Sequence, residues 1–170
     1  SNKNPTLGAA LVNAGLVSSV AIDYVLQKQK IEKLPLGNLL VELGFSSAKD
    51  VARQLAVQRG LRFVDADEMP EIDTAVAGIF NRSLCLTYGF LPVRENSDGL
   101  IEIVLGDSQP DAVTELVQRK LGKECRFYQG EFDSVAQAIQ QHFYFAENPP
   151  ARLIESEVRK LEADVDRAYS

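Results

Sequence analysis

The sequence predicts an α+β fold in three parts. An N-terminal all-helical tandem-repeat subdomain spans 1–60, a small α/β sandwich with a mostly antiparallel three-stranded sheet spans 61–148, and a C-terminal linker helix spans 149–170. Three observations predict it. Residues 6–58 hold an internal repeat with helical periodicity, the pattern turns to short apolar runs after Gly60, and Asn148-Pro149-Pro150 breaks the chain before one charged amphipathic segment.

The repeat comes first in the chain. Residues 6–29, TLGAALVNAGLVSSVAIDYVLQKQ, align without gaps on residues 35–58, PLGNLLVELGFSSAKDVARQLAVQ. Eight of the 24 positions are identical: Leu7/Leu36, Gly8/Gly37, Leu11/Leu40, Val12/Val41, Gly15/Gly44, Ser18/Ser47, Leu26/Leu55 and Gln29/Gln58, with Ile22/Val51 conservative. Identity at fixed register, with a period of 29 and a spacer at 30–34, marks a duplicated structural unit. Each copy predicts a short helix, a turn and a longer helix. Leu7 and Leu11, then Leu36, Leu40 and Leu43, fall on one helical face, and Gly15 and Gly44 suit the positive φ that ends a helix. Ser18 or Ser19 and Ser46 or Ser47 are natural N-caps for the second helices, with Asp50 completing a capping-box-like pattern. Gly60 stops the second copy.

Beyond Gly60, residues 61–64 (Leu-Arg-Phe-Val) predict a short strand closed by the acidic turn 65–68 and Pro70. Residues 72–80 predict a helix and 87–94 a strand; Asn96-Ser97-Asp98-Gly99 is a hairpin turn with 100–105 as the returning strand. A helix over 111–121 ends at Gly122, a third strand follows at 125–128, and a last helix spans 134–145. Past the Pro-Pro break, Ile154, Val158, Leu161, Val165 and Ala168 repeat at heptad-like spacing, too short a seam for an isolated coiled coil.

Composition excludes several functions. With 45% hydrophobic and 25% charged residues, the 170-residue chain is ordinary globular material. No stretch approaches the roughly 18 apolar residues of a membrane span, and no signal-peptide pattern opens the chain, so a cytoplasmic location without membrane insertion is expected. The net charge of −6 is uneven: residues 1–60 carry seven Lys/Arg against four Asp/Glu, the remainder 11 against 20. The second repeat helices, 19–29 and 48–59, hold only Lys28 in one and Lys49, Arg53 and Arg59 in the other, too sparse a basic face for a DNA reader. No phosphate-cradling G-x-x-x-x-G-K-[ST] loop, dinucleotide fingerprint or nucleophile elbow is present, so no catalysis is expected of these residues. Cys85 and Cys125 form no CxxC and read as small core residues, the lone His142 as structural or exposed, and Asp65, Asp67 and Glu68 as a solvated turn rather than a metal site.

The repeat itself suits an anionic ligand with two similar halves. Its Leu-Gly pairs open helices, where free N–H groups and the dipole favour an anion and a missing Cβ admits close approach. Ile22/Leu26 and Val51/Leu55 could present flat apolar surfaces to bases, and the Gln29 and Gln58 amides both donate and accept. The alternative is that these apolar residues are core and the glycines make turns.

The tandem motif x-L-G-x-x-L-V-x-x-x-G, with its later Ile/Val, Leu and Gln, resembles the MshEN-type N-terminal domain of type II secretion and type IV pilus assembly ATPases. The resemblance continues through Gly60-Leu61-Arg62-Phe63-Val64-Asp65 and Tyr88-Gly89-Phe90-Leu91-Pro92-Val93 to cover about residues 6–146. It implies a non-catalytic docking and regulatory domain, cytoplasmic and peripheral to the bacterial inner membrane. Its partners would be an inner-membrane platform protein and its own ATPase domain, with homo-oligomerisation through the full-length ATPase. It implies no cofactor within these residues, ATP and Mg belonging to the ATPase domain. Some family members bind cyclic-di-GMP across the two motifs. Carried over by position, the ligand-facing residues would be Leu7, Gly8, Ile22, Leu26, Gln29, Leu36, Gly37, Val51, Leu55 and Gln58. The binding motif usually opens with Arg, the bidentate reader of a guanine edge; here those positions are Thr6 and Pro35, which cannot make that contact.

Overall fold

The structure, a computed structural model, describes residues 6–147 and 151–169. Four helices form the N-terminal subdomain: α1 (Leu7–Asn13), α2 (Ser19–Glu32), α3 (Leu36–Glu42) and α4 (Ala48–Arg59). Side-chain oxygens start three of them. Thr6 Oγ1 accepts from the Ala9 amide at 3.2 Å, Ser18 Oγ from Ala21 at 3.1 Å and Ser47 Oγ from Asp50 at 3.1 Å. Pro35 opens α3 without a side-chain cap. Gly15 and Gly44 turn each pair at φ +72° and +80°. The spacer expected at 30–34 is partly helical, because the straight-chain run Gln27-Lys28-Gln29-Lys30 propagates α2 to Glu32. It ends where Lys33 turns left-handed at φ 56°, two residues before Pro35.

Leu11, Val17, Ala21, Ile22, Val25, Leu39 and Leu40 make the core of this subdomain. The duplication shows in its packing. A Cβ on Gly8 would lie 3.2 Å from Ile22 Cγ2 and 3.4 Å from Leu36 Cδ2; one on Gly37 would lie 2.7 Å from Val51 Cγ1 and 3.5 Å from Leu7 Cδ2. Each glycine therefore admits the branched side chain of its own copy and the opening leucine of the other.

The second part is built on a three-stranded sheet in the order β1-β2-β3: β1 (Phe90–Glu95), β2 (Ile101–Leu105) and β3 (Cys125–Gln129). The expected antiparallel character holds for one pair only. β1 and β2 are antiparallel across the Asn96–Gly99 turn, where Asn96 Oδ1 accepts from Asp98 and Leu100, but β2 and β3 are parallel, so the sheet is mixed. The reason is the crossover helix α7 (Pro110–Leu121), which carries the chain back so that β3 starts at the same end as β2.

Three other expectations change in detail. Residues 61–64 form no strand; Phe63 makes a single parallel bridge to Gln129 before Asp65 caps a 3-10 turn at Ala66–Glu68. The helix expected over 72–80 shrinks to α5 (Thr74–Ala77), because the Asp73 amide is drawn onto the Val93 carbonyl of β1 at 2.8 Å. The strand expected from 87 begins at Phe90. The preceding residues form α6 (Arg82–Tyr88), started by Asn81 Oδ1 on the Leu84 amide at 2.8 Å and ended by Gly89 at φ 71°. A bulge between Pro92 and Arg94 follows from the missing proline N–H.

Against the sheet lie α5, α6, α7 and α8 (Phe132–Glu147), around a core that includes Phe80, Phe90, Leu91, Ile103, Val117 and Ile139. Phe80 and Phe90 meet edge to face at 5.6 Å. The Pro149-Pro150 break falls outside the described residues. After it, α9 (Ala151–Tyr169) is one continuous helix, and Leu161 and Val165 of its expected seam are exposed.

Candidate functional site

A cleft of about 590 Å³ lies where the helical subdomain meets the sheet subdomain. Its helical wall holds Leu7, Gln29, Pro35, Leu36, Gly37, Asn38, Val51, Leu55, Gln58 and Arg59. The opposite wall holds Asp107, Gln109, Pro110 and Asp111, around the start of α7, and Phe132 at the start of α8.

Seven of the ten candidate residues therefore share one cavity: Leu7, Gln29, Leu36, Gly37, Val51, Leu55 and Gln58. Gly8, Ile22 and Leu26 are not among its lining residues. Gly8 and Ile22 are buried against each other, and Leu26 is exposed. The cavity is lopsided, since the second motif supplies five of the seven and the first only Leu7 and Gln29. The space beside each motif glycine is filled by Ile22 or Val51. Gln29 Nε2 donates to the Leu34 carbonyl at 3.1 Å and so ties the end of α2 to the spacer.

Arg59 is the one basic residue of the cleft lining, facing Asp107 and Asp111. Its Nη1 donates at 2.7 Å to Oε1 of Gln129, which is fully buried. The two hydrogens of the Gln129 amide nitrogen are shared among the carbonyls of Leu105, Gly106 and Gly130 at 3.1, 2.7 and 2.9 Å. A buried amide must find partners, and this one finds them on both sides of the subdomain junction. Burial pulls the Arg59 pKa below the ordinary guanidinium value, which leaves it cationic at neutral pH. Two further contacts hold α4 to the same junction. Lys49 Nζ lies 2.7 Å from Asp65 Oδ2, and the Arg53 guanidinium sits 5.5 Å from the Phe63 ring centre. Asp107 occupies the space above Gly89, where a Cβ would collide with its carboxylate.

Sequence reasoning placed Arg59 only among the sparse basic residues of the helix over 48–59 and did not find Asp107, Gln109, Asp111 or Phe132. The one local signal was Pro110, which starts α7 and ends the loop after β2. Elsewhere, burial pushes the Cys85 thiol up to about 12 and the Cys125 thiol up to about 11, so neither is a nucleophile at neutral pH. Partial burial lowers the His142 pKa, and its ring meets Phe143 edge to face at 5.1 Å. Among the described residues no three His, Cys, Asp or Glu side chains converge as a metal site, and no helix is long and apolar enough to cross a membrane.

A fold of this architecture, with a tandem helical motif facing a small mixed sheet, defines a family. Residues 59–149 match the MshEN domain model, and the chain belongs to that family. The matched span covers the sheet subdomain and begins after the tandem motif ends at Gln58.

Among individual relatives, the chain is 32% identical over 126 residues to the type IV pilus assembly ATPase PilB of Thermus thermophilus, covering 74% of this chain. It is 28% identical over 121 residues to the bacteriophage adsorption protein B of Escherichia coli, covering 71% of this chain. It spans only 14% and 16% of the lengths of those two proteins. Among solved structures, one of MshE with cdg superposes with a TM-score of 0.68 at 22% identity, covering 81% of this chain and 99% of the other. The N-terminal domain of XpsE superposes at 0.64 and 21%, covering 79% and 91%.

Proposed function

We propose that this chain is a non-catalytic docking and regulatory domain of a bacterial type II secretion or type IV pilus assembly ATPase. It would couple the motor to an inner-membrane platform protein from the cytoplasmic side. The observation that carries this reading is the 32% identity to the pilus ATPase PilB across 74% of the chain. The reading requires a Walker A loop downstream in the same polypeptide. A full-length protein without one overturns it and favours the other context among the relatives, that of the bacteriophage adsorption protein.

A second reading concerns the cleft. We infer that it is the place where a cyclic dinucleotide such as cyclic-di-GMP would bind, because seven motif residues line one cavity and MshE of the same fold was solved with cdg. Thr6 and Pro35 stand where arginines would read guanine, and by analogy with base readout each missing contact costs about tenfold to hundredfold in affinity. Calorimetry of the 170-residue chain tests this. Heat with cyclic-di-GMP that disappears in Leu36→Asp, which sets a like charge at the cleft wall, supports the reading. No heat at about tens of micromolar rejects a sensor role.

A further inference from the structure

The cleft holds one cation whose charge no carboxylate beside it offsets. Arg59 is the last residue of α4, before Gly60 turns left-handed at φ 66°, and its side chain is half-buried in the cleft lining. One edge of the guanidinium is fixed, because Nη1 donates at 2.7 Å to Gln129 Oε1, and that acceptor is a neutral amide. Arginine carries five N–H donors on a rigid plane, so a guanidinium held at one edge still presents donors at another. Its counterpart in the first copy, Lys30, is exposed and does not line the cleft.

The acids of the opposite wall are placed for other reasons. The Asp107 carboxylate lies over Gly89. Asp111 stands in the first turn of α7, where the helix dipole favours a negative charge. Among the described residues no carboxylate comes within 4.0 Å of the Arg59 guanidinium, whereas Lys49 on the same helix has Asp65 at 2.7 Å. The burial that lowers the Arg59 pKa therefore acts on a cation without a carboxylate partner. Such a charge is costly unless a counter-charge is supplied, and the C-terminal dipole of α4 supplies only a fraction of one.

Resting on the reading of this cleft as a cyclic-dinucleotide site, we infer that Arg59 is its anion-contacting residue and takes a phosphate of the ligand on the N–H groups that Gln129 leaves free. A phosphate suits the position better than a base edge, because a base edge brings no formal negative charge. Gln129 holds the guanidinium in place from beneath. Its buried amide accepts from Arg59 on the helical wall and shares its N–H groups with the Leu105 and Gly106 carbonyls, next to Asp107 of the opposite wall. Since Arg59 is the single basic residue of the lining, the cleft grips one phosphate and not a symmetric pair.

Calorimetric titration of the 170-residue chain with cyclic-di-GMP at several salt concentrations is the test. Salt screens a phosphate–guanidinium contact, so the wild-type affinity should fall as ionic strength rises. Arg59→Met should bind about tenfold or more weakly and lose most of that salt dependence. Arg59→Lys keeps the charge without the planar fork, so it should keep the salt dependence and fall between the two in affinity. Lys49→Met loosens the subdomain junction away from the cleft and should bind within about twofold of wild type. Circular dichroism checks each fold, and Arg59→Gln replaces Arg59→Met if that variant unfolds. An Arg59→Met chain that binds like wild type, or that binds weakly with the salt dependence unchanged, overturns the assignment to Arg59 and leaves the cleft reading in place. Equal weakening by Lys49→Met overturns it as well, and makes Arg59 a junction contact alone. A wild-type chain that gives no heat overturns both the assignment and the cleft reading.

Discussion

The two copies of the repeat share their inner residues and differ in their outer ones. Leu11 and Leu40 are both fully buried, and Gly8 and Gly37 both admit a branched side chain from their own copy. These identities maintain helix packing within the pair. The positions that have diverged, Val20/Lys49, Tyr24/Arg53 and Lys30/Arg59, face outward. In the second copy they bind the sheet subdomain, and in the first they have no sheet beside them. Duplication therefore supplied two equivalent frames, and substitution on the outer face decided which one carries the second subdomain. The lopsided cleft follows, since the copy nearer the sheet supplies most of its helical wall.

The largest expected effect comes from breaking that attachment. Gln129→Ala leaves Arg59 without its acceptor and the carbonyls of Leu105, Gly106 and Gly130 without the amide donor, a loss of about 2–4 kcal/mol. Arg59→Ala removes one donor and should cost about 1–3 kcal/mol. Lys30→Ala, the matching change in the first copy, should stay within about 0.5 kcal/mol. Urea unfolding of the three variants measures the ranking. Equal losses at 30 and 59 would mean that the two copies are energetically equivalent after all.

A smaller contrast separates the motif glycines. Alanine at Gly37 sets a Cβ 2.7 Å from Val51 Cγ1, whereas at Gly8 the nearest atom is 3.2 Å away. Overpacking of the first kind costs about 1–3 kcal/mol, and the gain from replacing glycine in a helix returns up to about 1 kcal/mol at either site. Gly37→Ala should therefore destabilise, while Gly8→Ala should come out close to neutral. Thermal unfolding of the pair shows whether the two packing sites are interchangeable.

How far the sequence disclosed these features depends on their range. The helical pairs were legible because caps, turn glycines and apolar spacing are local, and Ser18, Ser47, Gly15 and Gly44 all act as their positions suggest. The helix Arg82–Tyr88 carried local signals too, Asn81 before it and Gly89 after it, but the apolar run from Leu84 to Val93 blurs helix into strand. The parallel pairing of β3 was not legible, because nothing local specifies which edge or direction a strand takes after a crossover helix. The far wall of the cleft was hidden for the same reason. Asp107 and Phe132 lie about seventy or more residues from the second motif's opening and meet it only once the sheet subdomain has folded against α4, through Arg59–Gln129, Lys49–Asp65 and Arg53–Phe63.

The smallest expected effect is at the Val20/Lys49 pair and is best read as a titration. The Lys49 ammonium hydrogen-bonds the Asp65 carboxylate, and the Ala66 amide adds a second donor, so the Asp65 pKa lies below the ordinary aspartate value. A carboxylate with a depressed folded-state pKa contributes stability that is complete above its unfolded pKa, near 4, and is lost as pH falls through the folded value. Lys49→Val, which installs the residue of the first copy, removes the larger of the two causes. The Asp65 carboxyl resonance should then titrate at higher pH, while the Ala66 hydrogen bond keeps part of the depression. Both partners are partly solvent-exposed, so the accompanying change in stability should be slight and should shrink further in high salt. An Asp65 titration unchanged by Lys49→Val would show that the backbone amide alone sets the carboxylate, and that this corner of α4 is no better attached to the sheet subdomain than its counterpart on α2.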